Sequence, residues 1–106
     1  MEPVSSLAGE RPVPDIVTEL PGPRARAHVA FDEAWTSPSL PRAYPIVPIR
    51  GEGLTVEDID GNLFLDFAAG IAVTSTGHSH AKVAQAVAKR ASLMAASTTS
   101  VPELPR

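Results

Sequence analysis

Leu54-Thr55-Val56-Glu57-Asp58-Ile59-Asp60-Gly61-Asn62-Leu63-Phe64-Leu65-Asp66-Phe67 is the stretch that decides the fold class of this chain. Its first residues alternate largely between apolar and polar side chains, the period of a half-buried strand. Asp60-Gly61 is a favoured pair where a turn needs positive φ, and Leu63 to Phe67 resumes the strand. The stretch predicts a β-hairpin. Asp58, Asp60 and Asp66 lack the Asp-x-Asp-x-Asp-Gly spacing and distal glutamate of a calcium loop, so they read as turn-forming, solvated acids.

Upstream, Ile46-Val47-Pro48-Ile49 reads as a short strand that Pro48 confines to a sheet edge, and Gly51-Glu52-Gly53 as a turn. Gly22-Pro23 suits a helix start, and Ala27, Ala30, Phe31, Ala34 and Trp35 then recur at helical spacing. That stripe is expected to pack on the chain's own core. Nine of the eleven prolines lie within the first 48 positions, and residues 1–21 predict a disordered, proline-rich arm. Downstream, Ala68 to Val73 is a run of small and apolar residues, and Thr74 to His80 a polar bend. A helix is expected from Ser79–Ala81 to about Met94, with Val83, Val87, Ala91 and Met94 on one face. Residues 95–106 have no sustained period and predict a frayed tail. The architecture is α+β: a short helix, a small antiparallel sheet and a following helix. A structured part of roughly 50 residues is too small for a self-sufficient core, so an incomplete core is expected.

Composition narrows the function. The net charge is −3, and the nine Lys and Arg residues are scattered without aromatic interleaving, which removes nucleic-acid binding. There is no cysteine, so neither a disulfide framework nor a thiolate metal site exists, and a cytoplasmic setting is expected. The longest nearly apolar run, Phe67 to Val73, is far too short to span a bilayer.

His78-Ser79-His80 places two imidazoles on one side of an extended chain, but zinc needs at least a third protein ligand, and only His28 and scattered carboxylates remain. No metal site is expected there. Nucleophile elbows, Walker loops and a full Gly-x-Gly-x-x-Gly are absent, so residue types alone identify no catalytic group.

The order of the pieces says more. Tyr44-Pro45-Ile46-Val47, Arg50-Gly51-Glu52-Gly53, Val56-Glu57-Asp58-Ile59-Asp60-Gly61-Asn62, Leu65-Asp66-Phe67-Ala68-Ala69-Gly70-Ile71-Ala72-Val73 and Gly77-His78-Ser79-His80 follow one another at set spacing. Together these blocks resemble the start of class-III pyridoxal-phosphate-dependent aminotransferases, nearest to their 4-aminobutyrate and acetylornithine branch. The resemblance covers Tyr44 to about Thr99. Ala81 stands where the family usually has proline, and Ser100 to Arg106 do not continue the pattern, from which a truncation or frame shift near Ser100 is expected.

The resemblance implies the α/β fold type I of pyridoxal-phosphate enzymes, of which residues 22–94 would be the N-terminal segment of the small domain. It implies pyridoxal 5'-phosphate as the family's cofactor, amino-acid and keto-acid substrates, and a homodimeric parent in which some relatives are racemases. The positions of Gly70 and Ile71 would line the substrate side of the pocket. From the residues alone, Ile71 and Val73 read equally as buried strand residues with Gly70 relieving crowding. The Schiff-base lysine, the acid for the pyridinium nitrogen and the phosphate cup belong to later segments of the family. The two lysines here, Lys82 and Lys89, fall on the polar side of the expected helix, where an amine stays solvated. The implied function is therefore an inactive N-terminal aminotransferase fragment that binds no cofactor alone. The alternative is a non-catalytic module that docks on a full-length aminotransferase, or else aggregates, through its exposed apolar faces.

Overall fold

The computed structural model of the chain describes Leu7, Gly9 and residues 11–93. Three helical and three strand segments follow in the order α1 (Pro23–Trp35), β1 (Pro48–Glu52), β2 (Thr55–Asp58), β3 (Leu63–Leu65), α2 (Ala69–Ala72) and α3 (Ala81–Ala91). The strands form one antiparallel sheet in the order β1-β2-β3. Leu63 pairs with Glu57, Phe64 with Val56 and Leu65 with Thr55, which is the hairpin anticipated from residues 54–67.

Strand β1 lies at the sheet edge, as Pro48 requires, but runs later than expected. Gly51 and Glu52 are paired with Val56 and Thr55, so the turn shrinks to Gly53-Leu54. The Gly-Glu-Gly run is mostly strand, because a two-residue turn with φ 57 at Gly53 closes the hairpin on its own.

Burial does not follow the apolar alternation. The buried apolar residues are Leu7, Ala25, Val47 and Leu63, joined by the polar Thr55, Asp58 and Asn62. Leu54 and Phe67 are exposed. The cause is the N-terminal arm, whose described residues 11–21 are docked on the sheet where disorder was expected. Asp15 and Leu63 exchange both backbone hydrogen bonds, at 2.9 and 2.8 Å. Asn62 Oδ1 accepts the amides of Val17 and Thr18, while Asn62 Nδ2 donates to Thr18 Oγ1 and Asp58 Oδ2. Asp58 also accepts the amides of Asp60 and Asn62, so it is a buried turn organiser and not a solvated acid.

Helix α1 begins at the expected Pro23. Its N-terminal amides are satisfied from a distance: Asp60 accepts Arg24 N–H at 2.9 Å and Ala25 N–H at 2.8 Å. Asp60→Ala should therefore cost about 1 kcal/mol, a loss of cap strength. Faster hydrogen exchange at Arg24 and Ala25, with the sheet unchanged, is the expected result. The apolar stripe does not pack on the chain's own core. Only Ala25 is buried, and Phe31 and Trp35 stand exposed with ring centroids 6.2 Å apart. At the C-terminal end, Asp32 accepts Thr36 Oγ1–H and Arg42 Nη2–H, both at 2.6 Å, which folds the following segment back onto the helix.

Helix α3 starts where expected and ends at Ala91, and no described residue of it is buried; Val83 and Val87 face solvent. The tail expected over 95–106 lies outside the described residues.

Candidate functional site

Beside the β1–β2 turn the chain makes an open cleft of about 440 Å³, lined by Gly53, Leu54, Asp66, Ala69 and residues 74–78. Two close approaches build it. His78 exchanges both backbone hydrogen bonds with Gly53, at 2.8 and 3.0 Å, and Ser79 Oγ donates to Gly51 O at 2.7 Å. Gly77 has φ 78, and a Cβ there would lie 2.9 Å from Gly53 Cα, so only glycine lets the bend reach the β1–β2 turn.

The lining also includes Ala69, the first residue of α2, which is not an ordinary helix. Ala69, Gly70, Ile71 and Ala72 have φ of 47, 62, 64 and 64, a left-handed turn. L-residues pay about 1–2 kcal/mol each for this conformation, and a β-branched residue in it is a genuine outlier. Gly70 alone adopts it freely. Isoleucine at 71 is carried outward and is 92 % exposed. Ile71 and Val73 are therefore neither strand residues nor buried. Ala69 lines the cleft, whereas Gly70 and Ile71 follow it directly without lining it.

Asp66 joins Ala69 to His78. Its Oδ1 accepts Ala69 N–H at 2.8 Å, and its Oδ2 accepts from His78 Nε2 at 2.6 Å. Residue-by-residue reading missed this pair, taking Asp66 as a solvated turn acid and His78 as part of a polar bend. Twelve positions separate them and no spacing rule links them. Ser79, with φ 56, breaks the extended backbone expected between His78 and His80. Among the described residues no three His, Cys, Asp or Glu side chains converge as metal ligands.

The hydrogen bond from His78, and then the Ala69 amide, hold the Asp66 carboxyl below the usual aspartate range. A depressed acid contributes stability that is fully present above its unfolded pKa, about 3.9, and lost as pH falls through the lower folded value. The Ala69 amide resonance should therefore titrate below pH 4 in step with Asp66, and Asp66→Asn should abolish that step in an NMR pH series. Persistence of the step in the variant would assign it to another acid.

A small antiparallel sheet, a glycine-dependent bend and a helix after it make up an α+β unit. Comparison with known proteins names its class: the profile for "Aminotransferase class-III" matches residues 38–104. The chain belongs to that family, and the match runs past both ends of the Tyr44–Thr99 resemblance. It is 42% identical over 82 residues to an alanine/serine racemase of Pyrococcus horikoshii, covering 76% of this chain and 17% of that protein. It is 40% identical over 72 residues to a 4-aminobutyrate aminotransferase of Mycobacterium tuberculosis, covering 68% of this chain and 16% of that one. Its structure resembles the acetylornithine aminotransferase of Elizabethkingia anophelis at a TM-score of 0.63 and 26% identity, over 76% of this chain and 21% of that chain. The chain thus spans less than a fifth of the length of these two sequence relatives.

Pyridoxal phosphate is the family's cofactor. The residues that line the cleft include no lysine, and the one acid among them is already bound to His78 and Ala69. Lys82 and Lys89 are both exposed on α3. No helix among the described residues is long and apolar enough to cross a membrane.

Proposed function

We propose that this chain forms the substrate-side wall of a class-III aminotransferase pocket, its residues 22–94 being the N-terminal segment of the parent's small domain, and does not transfer amino groups by itself. The observation that carries this reading is the left-handed turn, which spends backbone strain to hold Ile71 outward beside the cleft. In the complete enzyme Gly70 would give close backbone approach, and Ile71 an apolar contact, to an ω- or α-amino donor or its keto-acid acceptor. The racemase relative makes racemisation of an amino acid an equally suitable parent chemistry. A cysteine-free chain suits a cytoplasmic setting. The test is absorbance spectroscopy of the purified chain with pyridoxal phosphate and either 4-aminobutyrate or N-acetylornithine. The expected spectrum is that of free cofactor; conversion of the cofactor to its amine form at a rate above the protein-free control would contradict inactivity.

A second reading has its own support. Val83, Val87, Phe31 and Trp35 are exposed on helices that bury almost nothing. On this reading the chain docks on a full-length aminotransferase. Sedimentation of the chain with a purified class-III relative should then show a co-migrating species at micromolar concentration, and independent sedimentation would remove the reading.

A further inference from the structure

We propose that Asp66 and His78 act together as a clamp that fixes Ala69–Ala72 in its left-handed turn and so determines where Ile71 stands. The proposal deepens the substrate-side reading of Gly70 and Ile71 and rests on it for its functional meaning. A strained turn persists only where its surroundings over-determine it. Here Ile71 and Ala72 are exposed and Ala69 is only half-buried, so packing supplies little of the restraint. Among the described residues, Asp66 is the one side chain that hydrogen-bonds to Ala69–Ala72.

Both residues of the pair are anchored through their backbones. Asp66 N–H donates to Leu54 O at 2.8 Å, and His78 is fixed to Gly53 by its own two backbone hydrogen bonds. The turn's entry amide and the chain's return at His78 are therefore held by the two oxygens of one group, which is itself tied to the β1–β2 turn. Ala68, in the right-handed region, precedes Ala69 in the left-handed region; successive amides in that order form a concavity suited to an anion, and Asp66 fills it. Asp66 and His78 are thus positioning residues.

Amide hydrogen exchange on the full chain tests the clamp. Ile71 and Ala72 donate to Ala68 O, and Val73 and Thr74 to Ala69 O, so these four amides report the turn. Ile59 and Leu63, which donate to Val47 O and Asp15 O, report the sheet. The variants are Asp66→Asn, His78→Phe, which keeps a ring against Gly51, and the double variant. Each single variant should speed exchange at the four turn amides by about tenfold while Ile59 and Leu63 stay within about twofold. The double variant should be no faster than the faster single one, since a pair broken at either end is already broken. Unchanged turn amides, equal acceleration of the sheet, or multiplication of the two effects would each overturn the clamp. If one variant loses its fold, the other decides. The substrate-side reading fails separately, through an Ile71→Ala change that leaves substrate KM unaltered in the complete enzyme.

Discussion

Asn62→Ala is expected to destabilise the chain by about 3 kcal/mol, the largest effect of any single side-chain truncation outside the apolar core. Asn62 is wholly buried and is the one side chain that joins the arm, the hairpin turn and Asp58. Removing it leaves the Val17 and Thr18 amides without their acceptor and the buried Asp58 carboxylate without one donor. A buried polar group left unpaired costs about 1–3 kcal/mol, more when it is charged, whereas the methyl of alanine recovers little. With only Leu7, Ala25, Val47 and Leu63 as buried apolar residues among those described, the fold has little to offset this. Urea titration followed by circular dichroism should show the transition midpoint falling to near zero, with arm amides losing protection. A shift below about 0.5 kcal/mol would mean that water replaces Asn62 at no cost and that the arm is not held as described.

Gly77→Ala should follow closely, at about 2–4 kcal/mol. Two penalties combine: the left-handed φ of 78, and a Cβ 2.9 Å from Gly53 Cα and 3.0 Å from Gly53 O, neither of which can move as a side-chain end would. Gly61→Ala is the internal control, because φ there is 85 but nothing lies within 4 Å of the added carbon. It should cost about 1 kcal/mol, the conformational part alone. Equal losses at the two sites, measured by urea denaturation, would show that the contact between the bend and the β1–β2 turn carries no energy.

How far these features could be read from sequence depends on their range. The hairpin and the start of α1 are local: period-two alternation, Asp60-Gly61 and Gly22-Pro23 act within a few residues. The docked arm is not, since it hangs on an Asn62 side chain reaching backbone 44 and 45 positions away. Proline richness reads as disorder unless that acceptor is known. The α1 stripe misled because periodicity states which residues share a face and not what covers it. At the site, Phe67-Ala68-Ala69-Gly70-Ile71-Ala72-Val73 looks like strand by composition, and the left-handed turn is imposed by contacts at Asp66 and His78 that spacing does not encode. The five linked blocks fared better than local propensity because order and distance along the chain are visible in sequence even where conformation is not.

On the proposed function this chain brings shape, without a Schiff-base lysine, to an aminotransferase pocket. Borohydride reduction of the chain with equimolar pyridoxal phosphate, followed by peptide mass mapping, tests it most directly. Exposed amines on a solvated helix should give sub-stoichiometric labelling spread over both Lys82 and Lys89, as for any surface lysine. A stoichiometric adduct confined to one of them would show a built cofactor site and contradict the account.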